Sequence, residues 1–269
     1  MISDAAILAF RKTVWRYYQQ SGRHDLPWRS NDFDPYKIMV SELMLQQTQV
    51  SRVMPKYEAF VAHFPTVQVL AKAPQADVLR AWSGLGYNRR ARYLHQVAQM
   101  IVADFDGQFP HATAQLAKLP GIGPNTAGAI VTYAFNQPVV FIETNIRTVF
   151  IHHFFNDQDR IADAAIQQLV DQTLDREQPR EWYWALMDYG SSLKRNVGNP
   201  NRRSRSYTRQ SAFHGSRRQI RGQVIHLLGS APRRFEDLAA LIDDERLTDV
   251  LDALVSEGLI RLRGQYFRL

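Results

Sequence analysis

No cysteine occurs anywhere in the 269 residues, which removes disulfides, thiolate nucleophiles and sulfur-ligated metal centres from consideration together. The eight histidines form no His-Glu-x-x-His pair of the kind that holds zinc on one helix face, so neither a metal nor a cofactor is expected. Long hydrophobic runs are missing too, none approaching the roughly 18 residues that a membrane span requires. The opening stretch MISDAAILAFRKTVWRYYQQ breaks its apolar residues with charges, as an amphipathic helix does. A soluble, cytoplasmic protein with no membrane partner is the expectation. Acid is absent over one long stretch: Lys194 to Gly222 holds nine Lys and Arg and no Asp or Glu. That segment is +9 where the whole chain is +7, so the remainder is slightly acidic. Cations this concentrated suit a polyanion, because each one placed on a phosphate releases a condensed counterion. A solvated linker has the same composition.

What the chain does have is helical periodicity. From Ser3 to about Arg195 apolar residues recur at helical spacing, punctuated by turn signals at SGRHDLP, HFPT, GLG, GQFP, LPGIG and EQPRE. Strand-like alternation is scarce. The pattern predicts an all-α domain of about ten helices over residues 1–195. Residues 196–216 read as a basic connection, and 217–269 as three short helices with a two-strand ribbon around Gly264, a topology that resembles a winged helix-turn-helix. Such domains bind DNA or protein, and Asp249, Asp252 and Glu257 on the third helix disfavour a groove lined with phosphates.

Three stretches carry chemistry. LPGIGPNTAGAI, residues 119–130, has the grammar of a helix-hairpin-helix spanning about 114–135: an apolar anchor, a Gly-x-Gly turn, then a helix of small residues. Amides exposed at such a helix start suit a phosphate without reading sequence. In SELMLQQTQV, residues 41–50, helical spacing puts Ser41, Glu42, Leu45, Gln46 and Gln49 on neighbouring turns of one face. A solvated stripe usually carries several charges, whereas here one carboxyl stands among amides and apolar side chains, surroundings that favour a proton-holding general acid. FIETNIRTVF, residues 141–150, ends an apolar run on Glu143, which is either a catalytic carboxylate or a charge beside a helix start.

LPWR at 26–29, DPYKIMVSELMLQQTQV at 34–50, GLGYNRRAR at 84–92, LPGIGPNTAGAI and MDYG at 187–190 follow one another over roughly residues 24–193. Together they resemble the helix-hairpin-helix (HhH-GPD) DNA glycosylases, in particular adenine glycosylases of the MutY type. The resemblance implies a two-lobed helical fold. It implies Glu42 as the acid that protonates the leaving base, and Glu143 as the carboxylate facing the sugar. Arg29, Gln46, Gln47, Gln49 and Asn125 become contacts to the base or lesion pair, Leu85 and Tyr87 the wedge, and Gly121, Gly123 and Thr126 the hairpin that grips the backbone. The basic stretch adds Arg202, Arg203 and Arg205 to that backbone contact. The chemistry asks for these types: flipping a base costs a few kcal/mol, which a wedge offsets. Glycosidic cleavage wants one carboxyl as acid and another facing the sugar.

The chain departs from the family pattern in four places. Glu143 stands where the family has aspartate, and Thr144 where it has glycine, a substitution that would strain the turn if φ there were positive. Asn125 occupies the position of the Schiff-base lysine of bifunctional relatives, implying a monofunctional enzyme. The family's four iron–sulfur cysteines align near Lys194, Asn201, Ser204 and Gln210, so the connection is expected to hold its shape without a cluster or to be ordered by DNA. The short, helical-looking tail is not expected to supply the family's domain that reads 8-oxoguanine. The expectation is a monomeric, nucleoid-associated, monofunctional DNA glycosylase of base excision repair acting on double-stranded DNA with a mismatched or damaged base, adenine first. Uracil or thymine in a mismatch, or a modified base, stays open. So does a silenced protein that binds distorted DNA and recruits a partner through its tail.

Overall fold

The computed structural model describes residues 2–156 and 158–269. Fourteen helices are seen among them: α1 Asp4–Ser21, α2 Pro35–Leu45, α3 Val50–His63, α4 Val67–Lys72, α5 Gln75–Trp82, α6 Arg89–Asp104, α7 Thr113–Leu116, α8 Pro124–Phe135, α9 Thr144–Phe154, α10 Asp163–Thr173, α11 Pro179–Asn196, α12 Arg217–Ser230, α13 Phe235–Leu241 and α14 Leu247–Ser256. The only sheet among the described residues is a hairpin of β1 (Arg261–Arg263) and β2 (Tyr266–Arg268), with Leu262 opposite Phe267. The fold is all-α, and no described helix is long and apolar enough to cross a membrane.

Two compact units interleave along the chain, one of Met1–Ile38, His111–Lys118 and Ile122–Arg209, the other of Met39–Pro110, Leu119–Gly121 and Gln210–Leu269. In the first, α11 packs against α9, α1 and α8. Its run Trp182, Tyr183, Trp184, Ala185 and Leu186 is wholly buried, which is why this stretch shows no polar face. Phe10, Val14 and Tyr18 are four apart on α1 and face inward, and the Phe10 ring meets Phe150, Phe154 and Trp182. Arg11 donates to the carbonyls of Thr173 and Leu174 and so closes the end of α10.

The basic connection is held to this unit by ordinary hydrogen bonds. Ile161 and Ser204 form a parallel bridge, Ile161 N–H donating to Arg203 O at 3.0 Å and Arg205 N–H to Ile161 O at 2.9 Å. The Arg203 guanidinium donates to the carbonyls of Ile151, Phe155 and Asn156, which lie at the end of α9. The Arg203 guanidinium, one of the three cations expected at the DNA backbone, is thus engaged within the protein. Arg202 and Arg205 are exposed.

In the second unit α4 and α5 pack on α6, α3 on α5, and α12 on both α5 and α14. Phe60 meets Trp82 edge to face in its core. The inward stripe of α6 is Leu94, Val97, Ala98 and Ile101, and it is headed by a cation, Arg90. In the tail Ile220, Val224, Ile225 and Leu228 bury one face of α12, and Arg233 exchanges both backbone hydrogen bonds with Phe267.

Candidate functional site

In the second unit Glu42 lies on the last full turn of α2, half-buried, between buried Ser41 and the fully buried Leu43 and Met44. The helical face expected to run on through Gln46 to Gln49 is interrupted after Leu45. α2 stops at Leu45, Gln47 takes a left-handed backbone at φ 57°, and Gln49 caps α3. Gln46 is half-buried, while Gln47 and Gln49 are exposed.

Arg90 explains the stop. Its Nη1 donates to the carbonyls of Leu43, Met44 and Gln46 at 2.6, 2.8 and 2.7 Å, taking up acceptors that a continuing helix would have used. Its Nη2 reaches Thr48 Oγ1 at 3.1 Å and Gly86 O at 3.1 Å. One buried guanidinium thus ties the end of the Glu42 helix to the Gly84–Tyr87 loop. Burial lowers Arg90 to about 10, so it remains charged at neutral pH. The sequence signal was available: Arg90 occupies the first position of an otherwise apolar stripe.

The two residues assigned to the wedge differ. Leu85 is 2% exposed and belongs to the core, whereas Tyr87 is 38% exposed and sits at φ 48° between Gly86 at 71° and Asn88. Left-handed backbone at a tyrosine costs of order 1 kcal/mol and is held only where neighbours enforce it.

In the first unit Glu143 is the N-cap of α9, with φ −112° and ψ 170°. The amides at a helix start favour negative charge. Thr144 is the first helical residue and is not at positive φ, so the strain expected from replacing glycine does not arise. α11 reaches this turn through two residues. A Cβ on Gly190 would lie 2.2 Å from Asn145 O, so only glycine lets the helix come this close. Lys194 Nζ donates to Asn145 Oδ1 at 2.7 Å. Burial, with Arg147 nearby, pushes Lys194 below the usual lysine range. Arg147 in turn pairs with both oxygens of Asp163 at 2.8 Å, which holds the Asp163 carboxyl below its ordinary value against the opposing effect of burial. Asn125 Oδ1 accepts from Ile142 N–H at 3.2 Å, linking the first turn of α8 to the apolar run before Glu143.

Arg29, expected among the base contacts, is engaged inside the protein. It is 8% exposed, and both its terminal nitrogens are spent on Asp188, at 2.8 and 3.0 Å, while Arg23 takes the same carboxylate. Asp188 is the Asp of MDYG, so LPWR and MDYG supply the two halves of one buried ion pair. Burial alone would raise its carboxyl; Arg29 and Arg23 outweigh that and hold it low.

In the hairpin, Gly121 has φ 73° and Gly123 caps α8, with Pro124 at its first turn. A side chain at Gly121 would run into the Tyr93 ring at 2.6 Å. Gly121 and Gly123 are exposed and Thr126 is half-buried. The residues do not fit an iron–sulfur cluster. The chain has no cysteine, and the aligned positions are otherwise engaged: Lys194 on Asn145, Ser204 in the bridge to Ile161, Asn201 buried, Gln210 on Tyr87. Among the described residues no group of three His, Asp or Glu could hold a metal ion.

Residues 40–172 match the HhH-GPD superfamily base excision DNA repair protein family. An adenine DNA glycosylase of Mycobacterium tuberculosis is 34% identical over 288 residues, covering 96% of this chain and 90% of that protein. An adenine DNA glycosylase of Buchnera aphidicola is 37% identical over 190 residues, 69% of this chain, and the chain spans only 53% of that relative's length. A thermostable thymine-DNA glycosylase has the same fold, with a TM-score of 0.61 at 23% identity over 70% of this chain and 87% of that one. Endonuclease III trapped on DNA gives 0.55 at 19% identity, covering 72% of this chain and 87% of that one.

Proposed function

This chain belongs to the HhH-GPD superfamily of base excision DNA repair proteins, and on that premise we propose that it is a monofunctional DNA glycosylase whose first substrate is adenine in a mispair. Its relatives over most of the chain are named adenine DNA glycosylases, which supports that base over uracil or thymine. The observation that carries the proposal is the turn at Glu143, a carboxylate at the start of α9 whose backbone α11 approaches through Gly190 and whose neighbour Asn145 is held by Lys194.

In this reading Glu42 gives its proton to a ring nitrogen of the flipped base as the bond from that base to the sugar breaks. The bonding pair leaves with the base. Positive charge then develops on the sugar, and Glu143 meets it until water adds and loses a proton. The extra methylene of Glu143 adds reach without changing charge. Asn125 is bonded to Ile142 and has no amine, which supports hydrolysis without an imine. Tyr87 is the wedge residue of the two, because a core leucine cannot enter a base stack. The hairpin glycines with Thr126, and Arg202 and Arg205, serve the DNA backbone, and Gln46, Gln47 and Gln49 the lesion pair.

One observation favours a second reading, that of a DNA-distortion binder without turnover: glutamate stands at 143 where the family has aspartate. The test is a panel of duplexes with A·G, A·C, U·G, T·G and damaged pairs at micromolar protein, scored by strand breakage after alkali, with borohydride trapping alongside. Release of adenine, with breaks only after alkali and no trapped adduct, is the expected result. Tight binding with no excision from any duplex would favour the silent binder, and a trapped adduct would overturn the monofunctional assignment.

A further inference from the structure

We propose that the C-terminal segment is a working part of the device that opens DNA: Arg218 of α12, with Gln210, positions the phenol of Tyr87. This rests on reading Tyr87 as the wedge.

Tyr87 is an exposed ring, and such a ring free to turn would lose rotamer freedom each time it entered a stack. Its hydroxyl is held from the tail. Arg218 Nη1 donates to Tyr87 Oη at 2.9 Å, and Gln210 Nε2 donates to the same oxygen. Arg218 Nη2 donates at 2.6 Å to Ser211 O and at 3.3 Å to Ala212 O, so one planar group joins the end of the basic connection to the tip of the ring. The guanidinium carbons of Arg218 and of Arg90, the residue that anchors the Glu42 helix, stand 5.7 and 5.5 Å from the ring centroid.

The element that carries Arg218 is fixed, which is what a positioning residue needs. Arg80 Nε donates to Gly229 O at 2.9 Å, Gln75 Nε2 to Gly258 O at 2.7 Å, and Arg92 to Glu257 O. Arg221 pairs with Glu257 at 2.6 Å. α12 is thereby pinned to α5 directly and to α6 through Glu257, on either side of the loop that bears Tyr87. The geometry preorganises the ring before DNA arrives, leaving less ordering to be done at the moment of flipping.

The test compares Arg218→Ala, Tyr87→Phe and the double variant in single-turnover excision from an A·G duplex and from the same strand unpaired. Fluorescence of 2-aminopurine placed beside the mispair reports unstacking without chemistry. Arg218→Ala is expected to slow duplex excision about fivefold, the size of one hydrogen bond, and Tyr87→Phe, which removes the acceptor of both donors, at least as much; both should dim the 2-aminopurine response and leave single-strand excision within about twofold. The double variant should be no slower than the slower single. Multiplying losses, or equal losses on single strands, would overturn the proposal by making Arg218 merely structural. Tyr87→Phe removes one oxygen and endangers no packing, so a duplex rate unchanged in that variant overturns it as well. Tyr87→Ala separates the premise: if that change slows both substrates alike, the wedge reading itself fails.

Discussion

Gly190→Ala perturbs the Glu143 turn from behind, without touching a residue proposed to do chemistry. The added Cβ would stand 2.2 Å from Asn145 O, 2.8 Å from its carbonyl carbon and 3.0 Å from its Cα, where ordinary contact begins at 3.4 Å. All three atoms are backbone, so no flexible side chain can yield, and α11 and the turn must part by about 1 Å, an overpacking strain of about 1–3 kcal/mol. In a chain of this size that lowers the melting temperature by roughly 2–10 °C. A 1 Å misplacement of a catalytic group costs about a hundredfold in rate. Single-turnover excision on the best mispair should therefore fall about a hundredfold while duplex affinity, read by anisotropy, stays within about threefold. Lys194→Met loosens the same turn by removing the donor to Asn145 and adds no atom against the backbone; about a tenfold loss is expected from it. A Gly190→Ala protein that excises at the unaltered rate with an unaltered melting temperature would refute the claim that α11 sets the position of Glu143.

Glu42→Gln should abolish excision and leave duplex binding nearly intact; equal losses of both would make Glu42 structural. Glu143→Asp should slow excision, and Glu143→Gln should slow it further by removing the charge, whereas a tenfold gain in the aspartate variant would mark the glutamate as a damaging substitution. Replacing Arg202 and Arg205 together should reduce the salt slope of binding by about 0.9 for each phosphate no longer neutralised, while Arg203→Ala should mainly lower the melting temperature, since its guanidinium is spent on carbonyls. Asp188→Asn leaves Arg29 as an uncompensated buried charge, costing about 3–5 kcal/mol at neutral pH. Because the folded carboxyl is held low, that stability is present above the unfolded value of about 3.9 and lost as pH falls through the folded one. Denaturant midpoints should thus differ most at pH 7 and converge in acid; a gap unchanged at pH 2 would show that the ion pair is not what Asp188 supplies.

Local rules were enough for much of this chain. Apolar spacing along one helix face is set by neighbours three and four residues away, so RRQIRGQVIHLLGS could be read as the helix that α12 is, and the ribbon around Gly264 from its turn residue. The hairpin motif was legible for the same reason: Gly121 at positive φ and Pro124 at the first turn of α8 are local needs of the backbone itself. What only the tertiary structure decided depends on groups far apart in sequence. Arg29 and Asp188 are 159 residues apart, and no pattern within either motif reveals that each exists for the other. α2 ends at Leu45 because Arg90, more than forty positions on, takes the carbonyls of its last turn, and this is why Gln49 belongs to the start of α3 and not to the helix that carries Glu42. Composition likewise showed nine cations with no acid among them, yet folding sorts them: Lys194 and Arg203 hold the Glu143 unit together, Arg217 and Arg221 meet Asp249 and Glu257, and Arg218 reaches Tyr87. A charge is a property of the residue, but its use depends on which partners the packed core brings within hydrogen-bonding distance, because a guanidinium out of water must find acceptors wherever the fold supplies them.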